Sequence, residues 1–206
     1  MKKIHEFMRP FLAIIFGALL FLSYLNDLSA NGVALVMAII WLVFAAFALT
    51  VGILSIVMGE KLSKKVREYF DLAIVAGDPI LLFVEILLVV IGGGLNVFGW
   101  VVCIIGMASS IGFAGLLLFA YFKKNITVIN LTFLFAAIFA LYLLITIIFT
   151  PGGNGRGIGN ITLVELAINL AYVGLAFSVL SLIKPESRKA PIVKDAEVTE
   201  KEESAE

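Results

Sequence analysis

The sequence predicts an all-α polytopic membrane protein: a bundle of six transmembrane helices with a short cytoplasmic interfacial helix between spans two and three. Three observations carry that expectation. Of the 206 residues, 62% are hydrophobic and only 15% are charged, whereas soluble domains are about 45–50% apolar. Mean hydropathy is +1.11. A soluble chain of this composition could not cover its own core, so the bilayer must act as its solvent. The apolar residues also gather into runs that suit a hydrocarbon core of about 30 Å, which takes about 20 helical residues. Finally, the basic residues alternate from one connection to the next in the manner of a multi-pass topology.

The runs place spans near 9–25, 33–58, 79–96, 97–121, 126–149 and 162–183, a transmembrane domain over residues 1–183. The first follows "MKKIHEFMR" and has the look of a signal peptide. The best cleavage point, after Ala30, would put the bulky Leu28 three residues upstream, so the span is expected to be retained. The second is long enough to tilt. Between the third and fourth, Gly92-Gly93-Gly94-Leu95-Asn96 is the only turn signal.

Of the 15 Lys and Arg residues, all but Arg156 fall before span one, after spans two and four, or after span six. The positive-inside bias makes that side cytoplasmic, with both termini inside a cytoplasmic membrane. From Lys184 the composition changes. Residues 184–206, "KPESRKAPIVKDAEVTEKEESAE", lack the apolar content to fold and read as a disordered cytoplasmic tail, basic first and acidic last.

Between spans two and three, Leu62, Val66, Tyr69, Phe70 and Ala73 recur at helical spacing. Lys61, Lys64, Lys65 and Arg67 lie away from that face. The pattern predicts an interfacial amphipathic helix over 61–76. Gly77 would then close that helix, and Asp78 with Pro79 would open the next, Asp78 as the N-cap and Pro79 at the first helical position. Thr162 and Glu165 have the spacing of a capping box ahead of span six.

Glu85 has no such structural role. It lies well inside an apolar span, where a charge is costly, and no Lys, Arg or His is deep enough in any span to pair with it. If its helix starts at Pro79, depth alone brings it nearest Asn130 or Thr50. If the helix starts near Leu72, the nearest are Asn169 or Ser109. Glu85, Asn130 and Asn169 are therefore the candidate proton or ion site. The alternative is a protonated carboxyl hydrogen-bonded between helices. In span four, Gly106 with Ser110 and Ala108 with Gly112 make small-xxx-small pairs suited to close helix packing.

Several chemistries find no support. His5 is the only histidine and Cys103 the only cysteine, which leaves no buried Ser–His pair, thiolate cluster or His-based metal site. Asp78 and Glu85 share one helix about 10 Å apart, too far to share a proton directly. Neither cofactor nor metal is expected, and a net charge of zero gives no reason to expect nucleic acid as a partner. The expected partners are the lipid bilayer and another membrane protein or a second copy of the chain. The first expectation is a non-enzymatic interaction or accessory component. The second is a small proton- or cation-coupled transporter or channel using Glu85, and a membrane enzyme comes third.

Overall fold

The computed structural model describes residues 2–29, 31–148 and 163–185. They form six long helices: α1 (Lys2–Leu25), α2 (Val33–Val57), α3 (Lys64–Gly92), α4 (Val97–Lys123), α5 (Ile126–Ile148) and α6 (Leu163–Leu180). Single 3-10 turns at Asn26–Ser29 and Gly59–Lys61 flank α2. Each long helix contains a stretch long and apolar enough to cross a membrane. The tail beyond Pro185, the Gly-rich connection at 150–160 and Thr162 lie outside the described residues.

Local chemistry sets the helix ends. Ser63 caps α3, its hydroxyl accepting the Val66 N–H at 3.3 Å. Asn96 caps α4, its Oδ1 accepting the Gly99 N–H at 2.7 Å. Between them, Gly93 and Gly94 take φ of 73° and 80°, backbone that only glycine adopts without strain. The turn read from Gly92–Asn96 therefore falls where the triplet of glycines stands.

α3 departs from expectation. The break anticipated at Gly77-Asp78-Pro79 does not occur, and one helix of 29 residues runs through both Gly77 and Pro79. At 1.5 Å per residue it is about 44 Å long. That exceeds a hydrocarbon core of about 30 Å, so it would have to tilt or project from a bilayer. The separate helix over 61–76 is thus the first half of a longer one. Gly77 does not end a helix either. It makes room for Phe44 of α2, whose ring lies 2.7 Å from where a Cβ at residue 77 would stand.

Proline inside a helix leaves the carbonyl four residues earlier without its donor. Here that carbonyl belongs to Val75, and the Tyr172 hydroxyl of α6 donates to it at 2.7 Å. Val75 is fully buried and Tyr172 almost so. A tertiary hydrogen bond thus repairs the backbone, as an apolar interior requires.

α1 packs against α2 and α6, α6 against α5, α5 against α4, and α4 against α3. Lighter contacts from α3 to α2 and α6 close the ring. The α1–α2 seam is the closest approach. A Cβ at Gly17 would stand 2.8 Å from both the Ala45 carbonyl and the Leu49 amide nitrogen, and one at Gly52 would stand 2.8 Å from the Pro10 carbonyl. On α4, Gly106 accommodates Tyr142 of α5, and Gly112 accommodates Phe135. Ser109 and Ser110 donate to Gly106 and Met107 carbonyls of their own helix; of the two small-xxx-small pairs, Gly106 and Ser110 are both buried, whereas Ala108 of the Ala108–Gly112 pair is exposed.

Candidate functional site

α3 carries three acidic residues at a constant interval: Asp71, Asp78 and Glu85. Seven residues of an α-helix fall about 20° short of two full turns. The three therefore lie along one side of α3, each about 10 Å beyond the last.

Asp71, the first of them, is 5% exposed. Its Oδ2 accepts a 2.6 Å bond from Nη1 of Arg9, itself 8% exposed, which reaches across from α1. The pair is buried and charge-assisted. Asp78 is 7% exposed and sits in mid-helix. It does not cap a helix start, because Pro79 begins no helix. Glu85 is partly buried, and its Oε2 accepts the indole N–H of Trp41 at 3.1 Å. Trp41 is 3% exposed and stacks on Tyr24 with ring centroids 5.4 Å apart. Glu85 thus finds a neutral donor in Trp41.

Asp78 and Glu85 open into one cavity of about 190 Å³. α1 supplies Ser23 and Tyr24, α5 supplies Thr146, and α6 supplies Glu165, Asn169 and Tyr172. Among the described residues, no Lys, Arg or His lines it. Asn169 donates to the Leu143 carbonyl at 3.1 Å, leaving its amide oxygen as an acceptor. Glu85 and Tyr24 also border a second cavity of about 410 Å³, which reaches Asp27 at the α1–α2 connection. Toward the opposite end, Tyr172 lies between Phe16 and Phe139, with ring centroids at 5.6 and 5.9 Å. Phe16 and Tyr172 also line the cavity.

Of the residues singled out in the sequence, the fold brings Glu85, Asn169, Asp78 and Glu165 to one cavity. Glu165 stands in the first turn of α6; its expected capping partner Thr162 lies outside the described residues. Asn130 is exposed near the start of α5 and does not line the cavity. The Thr50 hydroxyl donates to the Ala46 carbonyl of its own helix. With α3 starting at Lys64, Glu85 lies about 31 Å along it, deeper than either sequence-based placement. That depth matches Asn169 and not Asn130.

Asp71, Arg9, Trp41 and Tyr24 were not anticipated. The seven-residue recurrence of acids was available as a signal for Asp71. Arg9 stands at the opening of the first apolar stretch, Met8–Ser29, as its sequence position suggests; its burial against Asp71 of α3 had no signal of its own. Trp41 and Tyr24 gave no signal, since aromatic residues in apolar runs are ordinary core.

Among the described residues, no three His, Cys, Asp or Glu side chains converge to hold a metal ion. What the cavity offers is carboxyl oxygens at two depths, hydroxyl and amide neighbours, and an approach from the Asp27 end. Such groups can exchange protons or exchange a water shell with a cation. Comparison with protein-family models, with curated proteins and with solved structures finds no match to this chain.

Proposed function

We propose that the chain is a non-enzymatic, proton- or cation-coupled transport protein of the cytoplasmic membrane, with Glu85 and Asp78 as its ionisable centre. One observation carries this reading: two acidic residues of α3, with Glu165 and Asn169 of α6, border one cavity that no basic side chain among the described residues enters. A carboxyl kept only to join two helices needs a partner and no cavity. Carboxyls in membrane interiors that face cavities mark proton and ion pathways.

In this reading Glu85 loads from the Asp27 end through the larger cavity, and Asp78 lies one step further in. Trp41 holds Glu85 in place. The layer of Phe16, Tyr172 and Phe139 is the barrier, and release requires Tyr172 to move. Both termini are cytoplasmic by the positive-inside bias. The clustering of Arg9, Lys64, Lys65, Lys124 and Lys184 around one cavity at the other end of α3 supports that orientation.

Purified chain in liposomes, with a proton-sensitive or sodium-sensitive dye inside, tests the reading under imposed proton and sodium gradients. Wild type should dissipate one gradient faster than empty liposomes, and Glu85→Gln should abolish the difference. Flux in wild type that persists in Glu85→Gln rejects the site. Flux absent under both gradients favours the interaction or accessory role instead.

A further inference from the structure

A third cavity lies at the basic end of the bundle. It measures about 500 Å³ and is bordered by Arg9, Lys64, Lys65, Lys124 and Lys184, drawn from four separate parts of the chain. Among the described residues two carboxylates, Glu68 and Asp71, share this wall, and Asp71 is already engaged by Arg9.

Arg9 supplies the second observation. It is 8% exposed, and its Nε is buried with no hydrogen-bond partner. One of its five donors is taken by Asp71 Oδ2. A buried guanidinium with an unused donor is costly, and a tetrahedral oxyanion is the ligand its fork matches best. The first turn of α3 points the same way. It contains no acidic residue and begins with Lys64 and Lys65, adding positive charge to the positive end of the helix dipole. Within the protein that arrangement is repulsive; with an anion seated beside it, it becomes attractive.

The remaining wall indicates where the anion comes from. Tyr69 and Tyr121 meet edge to face at 5.8 Å, and Tyr121 meets Phe122 at 5.5 Å. Tyr69 and Phe122 are exposed. Aromatic rings beside lysines at the end of an apolar helix are the composition of headgroup depth. We propose that this cavity binds a phosphate group, that of an anionic phospholipid headgroup or of a soluble phosphate ester. The site does not depend on the transport reading.

The test uses the full chain in detergent, with lipid retention measured by native mass spectrometry. Phosphatidylglycerol is compared with phosphatidylcholine of the same acyl chains. Lys64→Gln/Lys65→Gln removes two lining charges, and Lys61→Gln/Lys123→Gln removes two exposed charges outside the cavity wall. At roughly fivefold per lysine, the first pair should weaken phosphatidylglycerol retention about 30-fold, while the second changes it little. Thermal unfolding verifies that both variants fold. Displacement of bound phosphatidylglycerol by glycerol phosphate would assign the site to soluble esters as well; failure to displace it assigns the site to lipid. Equal retention of the two lipids, or equal loss in the two variants, would overturn the proposal.

Discussion

The bond between Tyr172 and Val75 makes a sharp prediction, because its role depends on a residue four positions away. Tyr172→Phe keeps the ring and removes the side-chain donor that bonds the Val75 carbonyl, for which Pro79 cannot supply the helical donor. Interhelical hydrogen bonds in membranes average about 0.6 kcal/mol, with a maximum of about 1.7. The average is low because most membrane carbonyls retain their helical partner; this one does not. An orphaned buried acceptor costs about 1–3 kcal/mol, so Tyr172→Phe should destabilise by about 1–2 kcal/mol, near the top of the membrane range. In a Pro79→Ala background the restored amide bonds the same carbonyl, and Tyr172→Phe should cost under about 0.5 kcal/mol. Equilibrium unfolding in mixed micelles, titrated with dodecyl sulfate and followed by circular dichroism, gives both numbers. Equal costs in the two backgrounds would refute the account of Pro79.

Two further perturbations test the packing. Arg9→Met should cost about 3–5 kcal/mol by stranding Asp71, while Arg9→Met/Asp71→Leu should cost less than that single change, because an apolar pair leaves no buried charge. Additive costs in the same unfolding assay would show that the pair does not act as a unit. Gly17→Ala should destabilise by about 1–3 kcal/mol, because its Cβ meets backbone atoms of α2 that cannot rotate away. Gly115→Ala meets nothing within 4 Å and should be neutral or stabilising by up to about 1 kcal/mol. Melting temperatures of these two variants provide the comparison.

The helical content and the number of apolar helices were legible because they rest on run length, which composition sets directly. The path of α3 was not. Gly-Asp-Pro is a strong local signal for a stop and a start, and it was overridden by two contacts made far away in sequence, Phe44 against Gly77 and Tyr172 to Val75. Local rules cannot register a donor 97 residues distant. The candidate site divides the same way. Glu85 stood out because a carboxyl in hydrocarbon is anomalous by itself. Asn169 and Asn130 could not be told apart, because depth along a helix carries no information about which helices are neighbours. Asp78 was read as an N-cap only because the helix was assumed to begin there.

Pro79 ties the fold to the proposed transport. The carbonyl it frees is bonded by the same Tyr172 that lies between Phe16 and Phe139 on the closed side of the cavity. Moving Tyr172 aside, as the proposed release toward the basic end would require, would expose the Val75 carbonyl one helical turn from Asp78. In an apolar interior that acceptor is costly to leave empty, yet a carbonyl beside a carboxylate is what a cation or a hydrated proton can occupy, as freed carbonyls do in transporters with broken helices. In the proposed transport, the proline would make the closed state depend on one tyrosine and would supply an open state with an oxygen ligand. Pro79→Ala removes both effects. It should raise stability in the unfolding assay and slow flux in the liposome assay. A variant that is more stable and equally fast would separate the helix repair from transport and leave Pro79 a structural residue alone.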